Sequence, residues 1–458
     1  MTVDNPKGAK YRPFTRRDID RIPALQRLSV ADRTAMKAVS AVLPFRTNEY
    51  VVDELIDWDA IPEDPIYQLT FPQREMLHPN DFDEMYGLVK SEAPESDVQA
   101  AARRIQRSLN PHPAGQQQLN VPVLEDGTAL PGAQHKYRET LLFFPGQGQT
   151  CHAYCTYCFR WAQFVGAEEL KFSNKEADSL AAYVRAHPEL SSVLFTGGDP
   201  MIMRTPVLQR YIEPLLDPTL EHLISIRIGT KAPGYWPQRF VTDPDADDLL
   251  RLFERIVDSG RHLALMAHFT HPRELETPMA QQAIKRIRST GAVVRCQAPL
   301  IAHINDDAET WSTMWRHQLK LGAVPYYMFV ERDTGPKNYF EVPLARALSI
   351  YNDAFRTISG LGRTVRGPSM SATPGKVLVD GVATIHGERV FVLKFLQARD
   401  PEWVGKPFFA KYDEQATWFD DLEPAFGERE FFFEEDLRRL TNSRRRLKLL
   451  EPMHGAAE

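Results

Sequence analysis

Residues 223–269, LISIRIGTKAPGYWPQRFVTDPDADDLLRLFERIVDSGRHLALMAHF, hold the pattern that decides the fold. Two short β-rich runs, LISIRIG at 223–229 and LALMAHF at 263–269, flank the stretch DADDLLRLFERIVDSG, whose apolar residues recur three and four apart. A helix between two strands forces them to pair in parallel through a right-handed crossover. The unit repeats in both directions. Upstream lie TLLFF at 140–144 and SVLFT at 192–196, with NKEADSLAAYVRAH between them; downstream lie TPMAQQAIKRIRSTG, AVVRCQA at 292–298 and VPYYMFV at 324–330. Six such units predict an α/β chain built as a partial (β/α)6 TIM-like barrel, with a doubly wound sheet as the second choice.

The flanks read differently. From Thr15 to about Arg107 the pattern is helical, as in DFDEMYGLVKSE and DVQAAARRIQRSL, and the Pro-rich segment from Asn110 to Pro131 reads as a linker. Past Pro343 come a helix, a Gly/Ser/Pro loop at 367–375, strands within KVLVDGVATIHGERVFVLKF and an aromatic, charged tail, in which SRRRLK at 443–448 reads as a solvated helix face. The expected division is a helical N-terminal region and linker at 1–133, a barrel core at 134–345 and a small C-terminal domain at 346–458. The 458 residues are 43% hydrophobic and 25% charged, ordinary globular usage. A net charge of -6 argues against a nucleic-acid surface and for a small-molecule partner. No apolar run approaches the roughly 20 residues of a bilayer span, and the polar start lacks a secretory stretch, so the expectation is a cytoplasmic protein without membrane contact.

Of four cysteines, Cys151, Cys155 and Cys158 crowd into one C-x3-C-x2-C run directly after the first barrel strand, while Cys296 stands alone in VVRCQA and reads as packing. Clustered thiols in a reducing compartment are metal ligands more often than disulfide partners. Three thiolates can hold three irons of one cubane and leave the fourth open. A closed zinc site with His152 as fourth ligand is the alternative. The polar motifs follow the strand ends, where parallel α/β folds gather functional loops.

The cysteine spacing, with Tyr157 before the last thiol, resembles the signature of the radical S-adenosylmethionine (SAM) superfamily, and TGGDP at 196–200 resembles its second motif. Closer still, HKYRETLLFF, FRW, TGGDP, RIGTKAP, HFTHPRE, QAPLIAHIND and PYYMF occur in the order shown by the lysine 2,3-aminomutase family, over roughly Gln134 to Lys376. The resemblance implies a 4Fe-4S cluster on Cys151, Cys155 and Cys158, with SAM on the open iron. It places Gly197, Gly198, Asp199, His268 and Gln297 around SAM, and Arg160 on the carboxylate of an amino-acid substrate. It also implies an external electron donor such as a flavodoxin or ferredoxin, a 5′-deoxyadenosyl radical, and an isomerase that moves an amino group.

The chain departs from that family in three places. Pyridoxal phosphate, a further cofactor implied by the resemblance, needs a lysine in a PGGGGK loop; here the loop reads GPSMSATPGK, and Lys376 is the one plausible Schiff-base lysine. Tyr137 keeps the ring-stacking position and Lys231 stands where the family turns an arginine to the phosphate, but Thr140 replaces a basic residue, for which Arg138 is the candidate substitute. No cysteine follows Cys296, so the family's C-terminal zinc site has no counterpart and a homo-oligomer stays open. Finally, Arg332 in FVERD and Arg366 in TVRGPS stand where lysine-specific members carry aspartates for the substrate's distal ammonium. Two guanidiniums cannot receive an ammonium; they imply an acidic, glutamate- or aspartate-like substrate, the alternative being that each only pairs with a neighbour, Glu331 or Asp333 for Arg332, or lies on the surface. Without pyridoxal phosphate the same radical leads to elimination, oxidation or epimerisation, whereas a non-catalytic iron–sulfur protein leaves the SAM motifs unexplained.

Overall fold

Parallel pairing runs unbroken through six strands in the computed structural model, which describes residues 11–110, 119–124, 127–165, 173–174 and 176–449, with side chains described only up to 442 in the last helix. The strands are β4 (Thr140–Phe143), β5 (Ser192–Phe195), β6 (Ser225–Thr230), β7 (His262–His268), β8 (Val293–Leu300) and β9 (Val324–Val330). Each is joined to its parallel neighbour by a helical crossover, as the alternation predicts. The helices turn their apolar faces inward: Leu249, Leu252, Phe253 and Ile256 of Ala246–Asp258 are buried, as are Ala280, Ala283, Ile284 and Ile287 of Pro278–Ser289. They meet the outward residues of the strands, among them Ile226, Ile228, Leu263, Leu265, Val294 and Cys296. Side chains alternate along a strand, so Arg227, Gly229, Met266, His268, Arg295 and Gln297 take the opposite, inner face. The expected barrel fold is present.

Five further strands complete an 11-stranded sheet. β3 (Ala133–Tyr137) lies antiparallel to β4 at one edge; at the other, β10 (Arg366–Ser371) runs parallel to β9, followed by antiparallel β11 (Gly375–Ile385), β12 (Glu388–Ala398) and β13 (Pro407–Lys411). The sheet curls until β12 meets β3, and the Lys136 ammonium on β3 donates to the Ala372 carbonyl just past β10. The stretch expected as a loop at 367–375 is thus largely strand. Its glycine marks a close approach instead of a turn: a Cβ on Gly367 would stand 2.5 Å from the Met328 carbonyl oxygen on β9.

The N-terminal helices Val30–Val42, Pro79–Lys90 and Glu95–Ser108 form where the periodicity places them, beside a two-stranded ribbon of β1 (Pro13–Thr15) and β2 (Arg46–Asn48). Much of the expected linker, 111–118 and 125–126, and the side chains of SRRRLK lie outside the described residues. Among the described residues no helix is long and apolar enough to cross a membrane. The N-terminal region shares one buried cluster with the cysteine loop and the ends of the barrel strands, joining Met36, Val51 and Leu69 to Ala153, Tyr157, Trp161 and Tyr235. Asn48, fully buried, pins this contact: its Nδ2 donates to the carbonyls of His152 (3.2 Å) and Tyr235 (3.0 Å), and its Oδ1 accepts from Val51 N (3.1 Å). Asn48→Ala strands those three groups in the interior and is expected to lower stability by about 3 kcal/mol. Denaturant unfolding measures it, and a change below about 1 kcal/mol would contradict the pinning role.

Candidate active site

The cysteine loop leaves β4 and is gripped from two sides. From the helical region, Tyr154 N donates to Arg46 O (2.8 Å), Thr156 N to Leu69 O (3.0 Å) and Thr156 Oγ1 to Gln68 O (2.7 Å). From the barrel, Asp199 N donates to Thr150 O (2.7 Å), one residue before Cys151. The glycines of TGGDP make that approach possible. A Cβ on Gly198 would lie 2.4 Å from Thr150 N, and one on Gly197, which has φ +131°, would lie 2.3 Å from the Gln149 side chain. Asp199 is buried and saturated: its carboxylate accepts from Met201 N (2.9 Å), Thr230 Oγ1 (2.7 Å) and Lys231 N (2.8 Å). The motif therefore ties β5 and β6 to the cysteine loop through its own hydrogen bonds.

All three thiols are free and half-buried, and burial raises the pKa of each, Cys158 to about 12. Lys231 faces Cys155, and Arg160 faces Cys158, so cations wait for thiolates that the protein alone does not produce. No three described His, Cys, Asp or Glu side chains converge on a single ion, whereas a cubane takes each thiolate on a different iron. His152 is no zinc ligand: its ring is buried between Tyr11 (centroids 5.3 Å apart) and Trp236 (6.4 Å) in the helical region's core. The donor set fits a 4Fe-4S cluster on Cys151, Cys155 and Cys158. Cys296 sits in the outer core of the barrel, where burial raises its thiol pKa.

His268 and Gln297 come together on the inner face, Gln297 Nε2 donating to His268 Nε2 over 2.7 Å. Burial, reinforced by Lys231 and Arg160, pushes the imidazole down to about 3, so it is neutral with its proton on Nδ1. The strand register extends this row to Tyr327 and Arg366. Lys231 has a different setting from the one the motif implies. Its ammonium is held by Glu274 (2.6 Å), which is fully buried, and by Thr270 Oγ1 (3.1 Å), over the Tyr235 ring.

The remaining cations sort into two groups. Arg160 lies over the rings of Phe144 (4.3 Å) and Phe159 (5.0 Å), and Arg332 lies over Phe159 (5.3 Å) and Trp418 (6.0 Å). The two guanidiniums share one phenyl ring beside the cysteine loop. Arg366 belongs elsewhere: it pairs in register with Tyr327, before the end of β9, whereas Arg332 follows that end. It sits 4.4 Å from both the Tyr326 and the Tyr327 rings, with Arg295 over Tyr326 (5.1 Å) and Lys376 over Tyr327 (4.1 Å). A β-bulge between Cys296 and Gln297 gives Tyr326 and Tyr327 to one side of that inner face. Tyr137 is buried at the end of β3 with Lys136 over its ring (5.3 Å), while Arg138 is exposed; Arg227 reaches Thr140 Oγ1 instead (3.4 Å). Motif reading does not single out Arg227, Arg295 or Glu274. A single charged residue within an otherwise uncharged run of a parallel strand, as in ISIRIG and AVVRCQA, is the signal that finds the two arginines.

No family model matches the chain. Over 405 residues, 88% of this chain and 94% of the other, it is 31% identical to a protein of Aquifex aeolicus provisionally named L-lysine 2,3-aminomutase. It is 29% identical to the L-lysine 2,3-aminomutase of Bacillus subtilis over 51% of this chain and 46% of that one, and 28% identical to that of Escherichia coli over 52% and 66%. Among solved structures, a radical SAM methyltransferase from Sphaerobacter thermophilus aligns at TM-score 0.37 and 14% identity over 62% of this chain and 92% of that one. SuiB of Streptococcus suis bound to S-adenosylmethionine aligns at 0.33 and 12% over 60% and 55%. These two are too distant to bear on the site.

Anaerobically reconstituted protein is expected to hold about four irons, to lose them in Cys151→Ala, Cys155→Ala or Cys158→Ala, and to keep them in Cys296→Ala. Gly198→Ala should lose iron too, although no ligand changes, because its methyl group would displace the loop at Thr150. Iron analysis decides, and full loading in Gly198→Ala would show that the loop tolerates the shift.

Proposed function

The chain belongs to the lysine 2,3-aminomutase family of radical SAM enzymes, and on that premise we propose that it moves the amino group of an acidic, amino-acid-like substrate between neighbouring carbons. The observation that carries the substrate class is the Arg160–Phe159–Arg332 group. Burial pushes the Arg160 pKa down to about 10, with Cys158 opposing the shift and Arg332 adding to it, while Asp333, Glu331 and Asp420 lie in the field of Arg332. A carboxylate at each guanidinium, one α and one distal, would be held through forked, charge-assisted hydrogen bonds.

When bound, the cluster supplies the electron that cleaves SAM. The protein's part is to seat SAM against the neutral His268–Gln297 pair, to fix Lys231 in place through Glu274, and to hold the substrate between two arginines so that one carbon faces the nascent radical. Substrate-dependent 5′-deoxyadenosine, assayed with dithionite and SAM, should form with glutamate- or aspartate-like compounds and not with lysine, and Arg332→Asp should abolish it. Efficient turnover of lysine would overturn the charge argument.

Pyridoxal phosphate fits the same interior. Lys376 takes the inner face, and burial together with Arg227 and Arg366 pushes its pKa down to about 7, so near neutral pH much of the amine is uncharged and nucleophilic. Tyr137 offers a buried ring in the field of Tyr327, over whose ring Lys376 lies, and the cofactor, when bound, supplies a carbonyl that captures the migrating amine. Added pyridoxal phosphate should give a visible absorption band that strengthens as pH rises through about 7, where Lys376 loses its proton, and that Lys376→Ala lacks. Absence of the band in wild type would move the reaction to elimination, oxidation or epimerisation without disturbing the family.

A further inference from the structure

The inner face of the barrel holds a second group of cations that the acidic-substrate reading does not use. Arg227, Arg295, Arg366 and Lys376 gather around Tyr326 and Tyr327, and among the described residues none of the four has a carboxylate partner. Arg227 is the most telling: among the described residues its buried Nε finds no hydrogen-bond partner, and its side chain makes one hydrogen bond, the long one to Thr140. Aromatic faces soften a guanidinium's desolvation, yet they carry no net negative charge and cannot offset three permanent positive ones. The nearby Lys231 shows the contrast, because a buried glutamate answers it directly.

We propose that this group is a binding site for a phosphate monoester, separate from the carboxylate-binding pair Arg160 and Arg332. A carboxylate would bring one negative charge to three guanidiniums; a phosphate monoester brings close to two near neutral pH, with three acceptor oxygens for forked donors. Arg227, Arg295 and Arg366 come from three different strands, β6, β8 and β10, so they approach from different sides, as a tetrahedral group requires. Two sources share this chemistry: the phosphate of a pyridoxal-type cofactor on Lys376, or a phosphate carried by the substrate.

The test uses the full chain with its cluster loaded, under anaerobic conditions, and reads the dissociation constant by calorimetry and the unfolding midpoint, neither of which needs turnover. The probes are pyridoxal phosphate and O-phospho-L-serine, against pyridoxal and L-serine. The phosphorylated probes should bind more tightly than their counterparts and raise the midpoint, and Arg295→Gln should weaken them by roughly tenfold or more. In phosphate-free buffer Arg295→Gln should melt above wild type, because it removes one of several crowded like charges; an arginine that only braces the scaffold would lower the midpoint. Pyridoxal phosphate binding tighter than O-phospho-L-serine identifies the cofactor as the source, and the reverse order identifies a phosphorylated substrate. Arg160→Gln should leave pyridoxal phosphate affinity unchanged and should weaken O-phospho-L-serine only as much as it weakens L-serine, which keeps failure here distinct from failure of the acidic-substrate reading. Phosphorylated probes that bind no better than their counterparts, or an Arg295→Gln variant of unchanged affinity and lowered midpoint, would overturn the site.

Discussion

A loop that must present three thiols to one cluster cannot hold its own shape, and the rest of this molecule is arranged around the contact that holds it. That contact is the approach of the Gly197–Gly198 backbone to Gln149 and Thr150, closer than any side chain permits. Everything on the barrel side follows from it. Asp199 spends its carboxylate on the backbone of 201 and 231 and on Thr230, fixing the ends of β5 and β6 relative to each other and to the loop. On the far side, backbone carbonyls of Arg46, Gln68 and Leu69 receive the loop's donors, which explains why a barrel enzyme carries about a hundred residues of helical structure ahead of its first strand. The helical region is the outer half of the cluster's cradle.

Charge is the second organising constraint. A curled sheet with an enclosed inner face makes every ionisable side chain there expensive unless it is answered. The protein answers Lys231 with Glu274 and Arg239 with Asp245, both within ordinary ion-pair distance. Among the described residues it gives Arg160, Arg295, Arg366 and Lys376 ring faces, and Arg227 a long hydrogen bond to Thr140, with no carboxylate ion pair for any of the five. This unequal treatment of like residues is what the proposed anion sites rest on: cations with a carboxylate partner are complete within the protein, and those without one are candidates for anionic ligands.

What was legible in the sequence was local. Strand and helix alternation from residue 140 to 330 needs only periods of two and 3.6, and the six strands fall where those periods place them. The cysteine spacing and the helices of the N-terminal region are equally short-range. What escaped depends on partners far along the chain. GPS at 367–369 reads as a turn because glycine and proline usually make one, yet Gly367 exists for the carbonyl of Met328, 39 positions earlier. Nothing in RTNEY marks Asn48 as the residue joining two regions, since both its acceptors lie more than a hundred positions away. Arg332 and Arg366 were readable as inverted charges, but their assignment to one substrate end was not, because register alone decides that one follows β9 and the other lies alongside it.

The two interior lysines show how the same side chain is given opposite chemistry. Lys231 has a carboxylate at 2.6 Å and a hydroxyl at 3.1 Å, so its charge is stabilised where it stands, next to the cysteine loop that will carry negative charge once iron binds. Lys376 has aromatic rings at 4.1 and 5.5 Å and no carboxylate partner among the described residues, and burial, with Arg227 and Arg366 adding to it, pushes its pKa down to about 7. A permanent cation suits holding a cluster and its ligand; a neutral amine suits forming a bond to a carbonyl. Burial is the larger cause of the lowered Lys376 pKa, and Arg227 and Arg366 add to it, so the charges proposed to receive a phosphate also favour the neutral form of the lysine beside them.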